Sequence, residues 1–149
     1  MKLAAALATL ALSAALAAHA MPGAGSGAAP MPHGGAPAAA PVKKLPTATG
    51  PEARTVEEVV KGKAALKGKP VLVNAQVVKV TSGVMGKNWV HLQDGSGKAA
   101  DGTHDVLATT QDTVAVGDVV KAKGIVRTDV NIGAGYSYAV LIEDATLRK

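Results

Sequence analysis

The chain has 149 residues, with no cysteine, no phenylalanine, one tryptophan and two tyrosines, and 16 Lys/Arg stand against 11 Asp/Glu. The missing thiols exclude disulfides, thiolate metal centres and the lipid attachment used by bacterial lipoproteins. From Thr55 onward twelve basic side chains face ten acidic ones, so charge alone gives this part of the chain no argument for nucleic acid.

Lys2 is followed by the uncharged run "LAAALATLALSAALAA" and then by "AHA" at Ala18 to Ala20. That succession of charged start, apolar middle and small-residue site predicts a signal peptide over 1–20, cleaved after Ala20, and a periplasmic or secreted product. The run is Ala-rich, short and followed by Pro and Gly rather than by a stop-transfer charge cluster, so no membrane association is expected after cleavage. In the next segment, 21–54, 22 of the 34 residues are Gly, Ala or Pro, and no periodicity would bury a face. A disordered Ala/Pro/Gly linker is predicted there. Met21, Met31 and His33 lie in it, read either as ordinary linker side chains or as soft and imidazole metal ligands.

The folded domain is predicted over 55–149. Thr55 and Glu58 have capping-box spacing, Val56, Val59 and Val60 share a helical face, and Gly68 and Pro70 stop the helix, which predicts one short helix over Thr55 to Leu66. Strand grammar follows. "VLVNAQVVKV" puts Val71, Val73, Ala75 and Val77 on one side, then changes parity so that Val78 and Val80 become the apolar pair; that change predicts a bulge, by which one strand serves two parts of a barrel. "KNWVHLQD", "HDVLATT", "VVKAKGIVRTD" and the segment after "NIGAG" supply four more strands between Gly-rich turns. The expected fold is all-β with one short leading helix, a five-stranded barrel of the oligonucleotide/oligosaccharide-binding (OB) type.

The succession of a helix, "GKPVLVNAQVVKV", "NWVHLQDGSG", "VGDVVKAKGIV" and "YAVLIEDA" resembles small exported bacterial OB-fold proteins, the periplasmic ones labelled nucleotide- or DNA-binding. The resemblance spans about Thr55 to Ala145, and "GVMGKNWVHLQDGSG" is its most specific piece. It implies a non-enzymatic binding module. Nucleic-acid-binding OB domains usually place their helix between strands three and four, where this chain has only "TTQDTVA"; compact barrels of this kind also serve small ligands and cations.

Alternation sends Val90 and Leu92 of the second strand inward and Lys87, Trp89, His91 and Gln93 outward. A ring, two basic groups and an amide on this strand suit a nucleotide, oligonucleotide or other ring-bearing anion, with stacking on Trp89 contributing about 1–3 kcal/mol. Two further readings stand beside it. Trp89 is alternatively the packing anchor on which the helix lies. Met85 and His91 alternatively offer copper(I) or silver a thioether and an imidazole beside a Trp ring, and the small OB-fold copper chaperones of bacterial metal efflux are similar in scale and ligand types. A protein-interaction role in an exported complex is the third function class. No cofactor is required by any motif, and an enzyme is not expected: His104, Asp105 and Asp101 form no catalytic spacing, "DGSGKAADG" lacks the closing Glu of an EF-hand, and "GSGK" precedes no helix.

Overall fold

The structure is a computed structural model and describes residues 41–149. The expected signal peptide and most of the expected linker, with Met21, Met31 and His33, lie outside the described residues. Among these, no helix is long and apolar enough to cross a membrane.

Thr55 caps the first helix as its spacing predicts: its hydroxyl accepts from Glu58 N, and the Glu58 carboxylate accepts from Thr55 N. Gly62 divides the predicted single helix into α1 (Val56–Lys61) and α2 (Lys63–Leu66). Five strands follow: β1 (Pro70–Val84), β2 (Lys87–Gln93), β3 (Val106–Thr110), β4 (Val119–Gly133) and β5 (Tyr136–Arg148). They close on themselves in the order β1-β2-β3-β5-β4, with every pairing antiparallel except β3 with β5.

The parity change in β1 is a register shift between Val77 and Lys79. Val77 pairs with Leu92 and Lys79 with His91, which leaves Val78 as the extra residue. Val71, Val73, Ala75 and Val77 before the shift and Val80 after it all face the barrel core. Val90 and Leu92 meet them there, fully buried. Val56 and Val59 of α1 belong to the same core, and the helical segment touches β1, β3 and β4, so it closes one end of the barrel.

A buried carboxylate fastens that end. Asp94, 3 % exposed, follows the last residue of β2; its Oδ2 accepts from Val56 N at 3.0 Å and its Oδ1 from Ser96 N at 2.9 Å. Glu57 N donates to Ser96 Oγ at 3.0 Å. Two amides of the first helical turn, which have no partner inside the helix, are thus satisfied by the β2–β3 loop. Ordered contacts also begin upstream of Thr55: Leu45 N donates to Asp94 O, Ala53 bridges Leu72, and Asn74 Nδ2 donates to Pro46 O. These bonds to a loop and a strand hold an Ala/Pro-rich segment that has no apolar periodicity of its own.

Replacing Asp94 with Ala removes a charged acceptor from one buried and one half-buried amide and is expected to lower stability by about 2 kcal/mol or more. Urea denaturation measures it; a loss below ~0.5 kcal/mol, the size of an ordinary surface substitution, would show that the loop does not hold the helix.

Candidate functional site

The second strand divides its side chains as alternation predicts, but its outward row is not uniformly open. Trp89 is only 7 % exposed. Its ring packs with Leu107 and Leu141 and is flanked by Val130, Ile132 and Tyr138. The Tyr138 ring lies 5.5 Å away at a tilt of 35°, and the indole Nε1 donates to Val84 O at 2.9 Å. This corrects the expectation of an exposed stacking surface. Trp89 is a packing anchor, but the element over it is the β4–β5 hairpin rather than the helix, which sits on the barrel core. The cause is the length of β4 and β5: beyond their barrel pairings they continue as a two-stranded arm in which Val130 pairs with Tyr138, and its apolar face needs a partner.

Lys87 is bound too. Its Nζ pairs with Asp144 Oδ1 at 2.5 Å, and that bond raises the ammonium above its ordinary value. Asp144 has a left-handed backbone, with φ at 49°, and its amide donates to Thr109 Oγ1.

The other half of the row forms a polar cluster. His91 Nδ1 lies 2.7 Å from Asp105 Oδ1, and Gln93 Nε2 donates to Asp105 Oδ2 at 3.1 Å. Asp105 precedes β3 and is 23 % exposed, while His91 is 36 % exposed. Burial pushes the Asp105 carboxyl up; the hydrogen bonds from His91 and Gln93 and the nearby imidazoles of His91 and His104 outweigh it, and the group ends below the usual carboxylate range. A carboxylate only accepts, so His91 carries its proton on Nδ1 and Gln93 turns its amide nitrogen toward Asp105. His91 Nε2 and Gln93 Oε1 are left as the free polar atoms.

Gln93 also borders a hollow of about 470 Å³ between the β2–β3 loop and the incoming chain, walled by Pro41, Val42, Ser96, Ala99 and His104. Its shape depends on two glycines with left-handed backbone. A Cβ on Gly95 would lie 2.5 Å from the backbone of Lys44, and one on Gly97 would lie 2.2 Å from Thr103 O. His104 Nδ1 is buried with no hydrogen-bond partner. Such an atom is uncommon in a folded chain and marks this wall as polar and unsatisfied.

Met85 occupies the β1–β2 turn with φ at 53° and is 67 % exposed. At ~3.3 Å per strand residue, His91 lies on the order of 13 Å beyond the start of β2, so the two expected soft-metal ligands do not meet. Among the described residues, no cluster of three or more His, Cys, Asp or Glu has metal-binding geometry.

Reading one strand alone left out of the site Asp105, which immediately precedes β3, and Lys79, which the bulge sets directly across from His91. The parity break in β1 is the signal from which Lys79 follows. Comparison with protein-family models, curated proteins and solved structures finds no match to this chain.

Two measurements check this geometry. Iodide is expected to quench Trp89 weakly in the native chain and more strongly in Tyr138→Ala, whose stability should also fall by about 1 kcal/mol; equal quenching in both would mean that Tyr138 does not shield the ring. Because the Asp105 carboxyl is lowered by folding, its stabilisation is present above the usual Asp value and is lost as pH falls through the lowered one. Asp105→Asn should therefore flatten the acid side of a plot of urea midpoint against pH, and an unchanged slope would contradict the cluster.

Proposed function

We propose that the chain is an exported, non-enzymatic binding module of the OB type, and that its ligand is a small ring-bearing anion, such as a nucleotide, held at the His91–Gln93 half of β2. The strand order β1-β2-β3-β5-β4 supports the OB reading, and the signal-like start supports export. One observation carries the location: Gln93 belongs both to the cluster with Asp105 and His91 and to the hollow beside it. A volume of about 470 Å³ lies within the range of small-molecule sites, on the order of 300–1,000 Å³. Pro41, Val42 and Ala99 offer the ring an apolar wall. Stacking on Trp89 is no part of this reading, because Tyr138 and the β4–β5 arm cover that ring.

A protein-interaction role has one observation behind it: Val84 and Met85 on one hairpin and Tyr136 on the next are all exposed. Such a group of apolar side chains is ordinary on a small domain unless it joins into a larger patch, so the ligand reading is preferred.

Adenosine monophosphate at low salt is the probe. Calorimetry is expected to show binding that weakens at least about tenfold in Gln93→Leu, which removes the free Oε1 as acceptor for the amino group of the base, and stays unchanged in Lys87→Met. Equal affinity in Gln93→Leu, or no binding by the native chain, would overturn the reading.

A further inference from the structure

The bulge in β1 creates a neighbour for His91 that nothing else in the fold explains. After the shift at Val78, Lys79 lies directly across from His91, on the same outward face. Side chains so placed have Cβ atoms about 4.5–5.5 Å apart, close enough for both to reach one small ligand. Lys79 has no ion-pair partner among the described residues, whereas Lys61, Lys87, Lys123, Arg127 and Lys149 each have one. Asp105 does not pair with Lys79, since its two oxygens are engaged by His91 and Gln93. Lys79 is also half-buried, so it stands on the face rather than trailing into solvent.

We infer that Lys79 and His91 form a subsite for a protonatable tetrahedral oxyanion, a phosphate or phosphomonoester. The inference rests on the ligand reading above and names the anionic part of that ligand. Its selectivity comes from the Asp105 contact. In the neutral form of His91, with the Nδ1 proton held by Asp105, Nε2 is bare and accepts a hydrogen bond, while Lys79 only donates. Dihydrogen phosphate, like the monoanion of a phosphomonoester, matches both: one P–OH donates to Nε2 and a P–O⁻ accepts from Lys79. If the proton moves to Nε2, the imidazolium donates to the dianion and the total charge is unchanged. Sulfate carries no proton near neutral pH, so against a neutral His91 it sets lone pair against lone pair. Lys87, fastened to Asp144 at the start of the strand, takes no part.

The test uses inorganic phosphate and sulfate at matched ionic strength near neutral pH, read by calorimetry and by the ¹⁵N shift of His91 Nε2. Phosphate is expected to bind and to move the His91 signal, sulfate to bind at least about tenfold more weakly, and Lys79→Met to weaken phosphate at least about tenfold while Lys87→Met leaves it unchanged. Equal affinity for the two anions, or an unaltered response in Lys79→Met, would overturn the subsite. Should adenosine monophosphate bind through Gln93 while phosphate leaves His91 unmoved, the subsite fails and the wider ligand reading stands; should neither bind, both fail.

Discussion

One extra residue in β1 governs both the inside and the outside of this barrel. Without the shift at Val78, alternation would carry Lys79 inward among the valines, and a lysine in an apolar interior costs several kcal/mol. With it, the interior row runs from Val77 to Val80 and the core stays apolar. The same step fixes what faces His91 and Trp89, since Lys79 and Thr81 become their cross-strand neighbours. Core and candidate site therefore share one backbone irregularity.

The outward face of β2 then separates into two environments because β4 and β5 outgrow the barrel. Their arm folds its apolar side against Trp89, and a small second core forms from Leu107, Leu141, Val130, Ile132 and Tyr138. In a chain without phenylalanine, the lone indole gathers that cluster around itself. Beyond the reach of the arm, the face turns polar at His91, Gln93 and Asp105. The Asp94 latch keeps the adjoining loop against α1, so the hollow beside Gln93 has fixed walls on one side and the strand on the other.

Local rules made most of the barrel legible: the capping box at Thr55, the β1 bulge, the Val90 and Leu92 core pair, and the glycine turns are each written within a few residues. Contacts between distant segments were not. Tyr138 lies 49 positions after Trp89 and Asp105 lies 14 after His91, and neither pairing has a periodic signature. The same limit applies to Lys87: its exposure was legible, but its bond to Asp144 depends on how β5 passes β3. Leu45 to Arg54 read as linker by composition, although backbone hydrogen bonds, to which composition is blind, seat part of it on the barrel.

The central claim is that the functional half of this face lies at His91 and Gln93, with Trp89 serving as core. A single ¹⁵N spectrum that resolves the Trp89 indole N–H, the Gln93 side-chain amide and the His91 ring, recorded while adenosine monophosphate is added, tests it most directly. The account predicts that the Gln93 and His91 signals move together while the indole stays in place. Movement of the indole with Gln93 and His91 unchanged would contradict it.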